Sequence, residues 1–327
     1  MPRLTFKSVN AALAAIISIV LLTGVSILVI YVGKSSYNIV NETSVDGMKI
    51  INSGLIANVN DLIDANMSMV KVPAQSGQAR KAVEGDSAEM DALIKALVKE
   101  YKGINSIFVL NSQGVAVSGA SSQGESFIGN NYGDRAYFKP IMQGNDVIDP
   151  NNIVAKTTKK EILVIGTPVL GENGKPIGAL CVTINWLEYI KNHILNITFA
   201  EHGYAFIIDA NGRFIAHPNP DLHMSDASKE DFANKALKMK HGSFNYEFKG
   251  RNKVLVFNTI ERTGWLVCTS AFEDDLARDA IVQRNILIAV ACGILVVLLG
   301  SIIFMVRRVV TNPLKNIMDY SAQVAHG

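Results

Sequence analysis

The stretch Asn131-Tyr132-Gly133-Asp134-Arg135-Ala136-Tyr137-Phe138 sets one cation among three aromatic side chains. A guanidinium stays charged at any physiological pH and presents a planar fork of donors matched to a carboxylate. Each such charge-assisted bond is worth about 1.5–3 kcal/mol. Tyr132, Tyr137 and Phe138 can wall a site of this kind, exclude water and leave hydroxyls to orient a guest. A helix begun near Asp134 and continued through Lys139-Pro140-Ile141-Met142 adds free N–H groups, which also favour an anion. The same residues admit a structural alternative, in which Arg135 pairs with Asp134 or Asp149 and the rings are core.

Other candidate chemistry is weaker. His202, His217 and His223 occur with Asp221, but Pro218, Asn219 and Pro220 separate the last two histidines, and zinc sites show tighter spacing on rigid elements. Asp209-x-Asn211-Gly212 echoes a calcium loop, yet Pro220 stands where that loop needs its bidentate glutamate. There is no G-x-S-x-G elbow, Walker loop or zinc-protease pair. The expectation is a non-catalytic protein with neither metal nor cofactor.

Those residues need elements to hold them, and composition constrains what these are. Of 327 residues 49% are apolar and 18% charged, below the roughly 25% charged of a soluble domain, so part of the chain belongs in lipid. With 31 basic against 29 acidic residues, the chain is neither a polybasic nucleic-acid binder nor an acidic tail protein. Three cysteines, Cys181, Cys268 and Cys292, show no C-x-x-C spacing and do not make a disulfide scaffold.

Residues 8–33 and 286–306 carry no charge, and about 20 apolar residues cross a bilayer as a helix. The first run exceeds a signal-peptide core and lacks an Ala-x-Ala cleavage site, which favours an uncleaved anchor. Arg3 and Lys7 flank one span and Arg307 and Arg308 the other, so residues 1–7 and 307–327 are expected in the cytoplasm and 34–285 outside.

After the first span, Ile51, Leu55, Val59, Leu62, Ile63, Met67 and Val70 recur at helical spacing, which predicts a long helix with a packing stripe. Short strands follow. Ile107–Leu110 meets Asn111-Ser112-Gln113-Gly114, and Ala205–Ile208 meets Asp209-Ala210-Asn211-Gly212, each an Asx-x-x-Gly turn after a hydrophobic strand. Ala179-Leu180-Cys181-Val182-Thr183 and Leu266-Val267-Cys268-Thr269-Ser270 set two cysteines at matching strand positions, in separate modules if the repeat holds. The fold class is α+β: a long N-terminal helix and two modules with antiparallel sheets, at about 85–195 and 200–275, flanked by two transmembrane helices.

This layout resembles the double Cache sensor domain of bacterial transmembrane receptors. The run from Gly203-Tyr204 through Asp209-Ala210-Asn211-Gly212 to Ala216-His217-Pro218 resembles the signature of its membrane-proximal, PAS-like module. Arg307-Arg308, Asn312-Pro313-Leu314 and Ala325-His326-Gly327 are similar to the opening of a HAMP linker. The resemblance implies a homodimeric chemoreceptor of the bacterial inner membrane, signalling to a cytoplasmic chemotaxis kinase and adaptor. Its alternative is the sensor half of a histidine kinase or cyclic-dinucleotide enzyme.

The resemblance further implies that the distal module binds the ligand and that Arg135 meets its carboxylate. Amino-acid-sensing relatives add an aspartate on the module's last strand, where this sequence has Thr183, and dicarboxylate-sensing relatives a second cation there. A small monocarboxylate or hydroxy acid is therefore the expected ligand, with Thr183 or Thr167 for a hydroxyl. Lys156 would restore a dicarboxylate, and an amino acid stays as the other alternative.

Overall fold

A computed structural model of the protein describes residues 9–155 and 159–313. In chain order the helices α1 (Val9–Ala74), α2 (Gly77–Glu84) and α3 (Ala88–Glu100) precede β1 (Ile104–Asn111) and β2 (Ala116–Ser121). Then come α4 (Phe138–Met142), β3 (Val147–Val154), β4 (Glu161–Leu170), β5 (Pro176–Asn185) and α5 (Trp186–His193). The second half holds β6 (Thr198–Phe199), β7 (Gly203–Ile208), β8 (Phe214–Ala216), α6 (Asp231–Met239), β9 (His241–Phe248), β10 (Arg251–Ile260) and β11 (Trp265–Phe272). Helices α7 (Glu273–Leu276) and α8 (Arg278–Val306) follow.

The chain divides into two units, residues 1–44 with 276–327, and residues 45–275. The first contains two apolar helical stretches long enough to cross a membrane, with mean hydropathies of 2.7 and 3.0. Their side chains, among them Ile27, Ile30, Val296 and Val297, stand exposed, as a lipid-facing helix requires.

In the second unit α1 is the long helix expected from the sequence. Its buried stripe, Leu55, Val59, Ile63, Val70 and Ala74, packs in one continuous core with both sheets. Ile51, Leu62 and Met67 flank that stripe half-buried. Asn52 Nδ2 donates to the Val267 carbonyl at 2.9 Å, and Tyr189 Oη to the Asn58 carbonyl at 3.0 Å, tying the helix to both modules.

The first sheet has the order β2-β1-β5-β4-β3 and the second β6-β7-β11-β10-β9, with β8 beside β7; all pairs are antiparallel. In each, the last strand of the module lies at the centre, covered on both faces. That is why β5 and β11 read as nearly unbroken apolar runs. Leu163, Ile165, Leu180 and Val182 turn toward α1, while Phe108, Val164 and Cys181 turn outward. The second sheet repeats this, with Ile207 and Val267 inward and Phe206, Leu255 and Cys268 outward. The matching cysteines occupy matching rows: Phe108 opposes Cys181 and Phe206 opposes Cys268. Both cysteines are buried and free.

The modules meet at Trp186, whose Nε1 donates to the Ile215 carbonyl at 2.9 Å and whose ring lies 4.7 Å from that of Trp265. Glu161 Oε2 and His223 Nε2 add a hydrogen bond at 2.8 Å across the same junction.

Candidate functional site

The outward face of the first sheet and the loop over it carry Tyr132, Arg135, Tyr137 and Phe138 of the expected residues. The loop rests on the β1–β2 turn. Asn111 Oδ1 accepts from the Gln113 and Val115 amides at 3.0 Å each, and Gly114 takes φ +79°. Tyr132 N donates to the Gly114 carbonyl at 2.7 Å, and Asn131 Oδ1 accepts from Gly133 N at 2.7 Å. A Cβ on Gly114 would stand 2.4 Å from Gly133 N, so only glycine lets the two turns touch.

From this platform Tyr132, Tyr137 and Phe138 are buried at 6%, 3% and 7% exposure and pack with Phe108, Val164 and Cys181. Tyr132 stacks on Phe108 at 5.3 Å. Arg135 is half-buried, and its Nη2 reaches the Val154 carbonyl at 3.5 Å, longer than the usual 2.7–3.2 Å of a full hydrogen bond. Among the described residues its guanidinium has no ion-pair partner within 4 Å. Burial pushes the Tyr137 phenol well above its ordinary pKa; Cys181, Tyr132 and Asp149 push the same way, while Arg135 opposes them.

The register adds a residue that sequence reading named only as a partner for Arg135. Asp149 opposes Val164, which opposes Thr183, which opposes Ser106, so these four share one row of the outward face. Asp149 is 3% exposed, and its charge is felt by Tyr137. The signal in the sequence was the period-two alternation of Val147-Ile148-Asp149, which puts the acid on the face of Val147.

Three expectations are corrected. Thr167 opposes Leu180 and therefore turns toward α1, where its Oγ1 donates to Asp146 at 2.6 Å, itself paired with Lys71 at 2.6 Å. Thr183 does face outward, but its hydroxyl is committed to Ser106 Oγ at 2.7 Å and Asn105 Nδ2 at 3.1 Å. The helix expected from Asp134 begins at Phe138 and lasts five residues, because Pro140 is tolerated only in a first turn. Lys156 lies outside the described residues, as do residues 314–327 of the HAMP-like segment.

The other motifs separate. His202 pairs with Asp275 at 2.9 Å, His223 with Glu161, and His217 is buried among Tyr204, Phe206 and Phe214. Asp209 is satisfied by the Asn211 and Arg213 amides and by the Arg213 guanidinium at 2.7 Å, so its turn is structural. Exposed Glu201 and His202 with Asp275 could reach a common metal ion, but no feature beyond their proximity points to one.

Two antiparallel sheets pack on one long helix, and the outer face of the first carries a buried acid under a loop that bears a cation. The Cache domain family matches residues 36–280, and the chain belongs to it. The chemotaxis protein TlpB of Bacillus subtilis is 28% identical over 150 residues, 46% of this chain and 22% of that protein. The chain thus spans about a fifth of that relative's length. Among solved structures, the ligand-binding domain of the Campylobacter jejuni chemoreceptor Tlp3 superposes with a TM-score of 0.60 at 12% identity, over 72% of this chain and 94% of that one. The extracellular domain of the putative histidine kinase mmHK1S-Z2 gives 0.59 at 15% identity, over 73% and 99%. These two likenesses establish the fold.

Proposed function

We propose that the protein is the sensing part of a membrane chemoreceptor whose first, distal sheet binds a small α-amino acid. Arg135 takes the ligand carboxylate and Asp149 its ammonium. The observation that carries this reading is the buried Asp149 carboxylate on the face that bears Tyr137, with Arg135 also within electrostatic reach of that phenol. The expectation of an organic acid rested on a missing acid beside Thr183, since a buried ammonium without an anionic partner costs several kcal/mol. Asp149 supplies that partner from β3 instead of β5. It also repels a ligand that carries only negative charge. The Tlp3 domain, solved with 4-methylisoleucine, supports the same class.

In this reading 8–33 and 286–306 span the bacterial inner membrane and 34–285 lie outside. The segment 307–327 opens a HAMP linker, and a homodimer signals to a cytoplasmic kinase and adaptor. The test is a thermal-shift screen of L-amino acids and 2-hydroxy acids on the 327-residue chain in lipid nanodiscs. A ligand at a hundred times its dissociation constant stabilises by about 2.7 kcal/mol. Arg135→Ala is expected to remove that shift, and stabilisation by hydroxy acids but not amino acids would refute the ligand class.

A further inference from the structure

The second sheet holds a buried cation of its own. Lys253 is 1% exposed, on the outward face in the row of Tyr246 and Phe272. Its Nζ donates to Tyr204 Oη at 3.0 Å and lies 4.2 Å from the Tyr204 ring centroid and 4.8 Å from that of Phe272. An ammonium has three donors and no acceptor, and burying it without an anion is costly. Among the described residues no carboxylate lies within 4 Å of it. Asp275, the acid whose field it feels, is engaged by His202 at 2.9 Å and by Arg251 at 3.7 Å.

The groups beside Lys253 are donors as well. His217 Nδ1 accepts from Asn219 N at 2.9 Å, which leaves the proton of the neutral ring on Nε2. That ring stands 5.5 Å from Tyr204 and senses the Lys253 charge. Tyr204 Oη accepts from Lys253, so its own proton is available, and Tyr246 Oη and Ser270 Oγ form a further hydroxyl pair at 2.9 Å. One charge and several neutral donors thus lie on this face, and among the described residues none of the ammonium's hydrogen-bond partners is an anion. The half-buried rings of Tyr204, Tyr246, Phe248 and Phe272 border the place.

We propose that this face is a second ligand site, in which Lys253, Tyr204 and His217 bind a small monocarboxylate. A single cation neutralises a monoanion, whereas a dianion such as hydrogen phosphate would leave charge uncompensated in a buried place. The aromatic border suits the apolar end of a short-chain acid and gives chloride nothing to gain. Burial, with Arg251 beside it, draws the Lys253 ammonium down to about 8, and a bound anion would restore it.

Sodium acetate is the probe, titrated against the full chain in nanodiscs at ionic strength held constant with sodium chloride. Acetate is expected to raise the unfolding temperature of the wild type and of Arg135→Ala alike. In Lys253→Gln the shift should vanish, and in Tyr204→Phe, which keeps the ring packing, the midpoint should move to severalfold higher acetate. No shift in the wild type, a shift that survives Lys253→Gln, or one that Arg135→Ala alone removes would each overturn the proposal. Should Lys253→Gln fail to fold, an unchanged midpoint in Tyr204→Phe does the same. Failure of the amino-acid screen leaves these outcomes untouched, because they are read with Arg135 absent.

Discussion

The two sheets share strand order and an outward-facing cysteine on the central strand, but their outer faces differ in room and in charge. In the cysteine row the first sheet has Gly166 and the second Phe257. A Cβ on Gly166 would stand 2.6 Å from Ile141 Cδ1 and 2.9 Å from Cys181 Sγ, so a side chain there would have to displace the end of Ile141 on α4 or the thiol. The neighbouring row reads Ser106, Thr183, Val164, Asp149 in the first sheet and Tyr204, Ser270, Leu255, Phe244 in the second. One module thus buries an acid in that row, whereas the other buries a lysine among hydroxyls and rings. The architecture repeats; what each face can hold is set by single residues within the rows.

The largest way to break the symmetry is Arg135→Ala. Arg135 is only half-buried, so removing the cation that would hold the carboxylate should cost at the low end of the about 2–5 kcal/mol of a buried charge pair. Calorimetry should therefore show amino-acid binding lost, while circular dichroism shows the fold retained. Next comes Gly166→Val, which overpacks the first face alone and should destabilise by about 1–3 kcal/mol in denaturant titrations. The matching change Phe257→Leu should open the second face and leave amino-acid affinity as it was. Gly114→Ala puts a side chain at φ +79° against Gly133. Its expected cost is about 1–3 kcal/mol, with weaker ligand binding, because the loop that carries Arg135 rests on that turn.

The smallest effect is in pH. Burial, with Lys253 and His223 adding to it against the nearby Asn219 carbonyl, 3.3 Å from Nδ1, holds His217 at about 4, below the ordinary 6.5. Between those values the unfolded chain binds more protons than the folded one, so stability falls as pH drops through that window. His217→Phe should flatten the slope between pH 6.5 and 4, read from unfolding midpoints, with no change at the first sheet.

Much of this arrangement was legible beforehand because it rests on local rules. The stripe of α1 follows from helical period, the two hairpins from Asx-x-x-Gly turns, and the module repeat from Cys181 and Cys268 at equal strand positions. Arg135 with Tyr132, Tyr137 and Phe138 was legible because one contiguous loop carries them all. Which threonine faces the site was not, since strand period fixes alternation but leaves the partner residue open. Thr167 turned inward on register alone, and Asp149 joined the site by a pairing of β3 with β4 that no local signal specifies. The engagement of Thr183 by Asn105 and Ser106 is likewise a contact between strands almost 80 residues apart.

In the proposed site Arg135 and Asp149 divide the ligand's two charges between them. The most direct test is calorimetry on wild type and Asp149→Asn, with the amino acid that gives the largest thermal shift and its 2-hydroxy analogue. Neutralising the acid should weaken the amino acid at least tenfold, about 1.4 kcal/mol, and leave the hydroxy acid unchanged or tighter. Equal weakening of both ligands, or no effect on the amino acid, would contradict it.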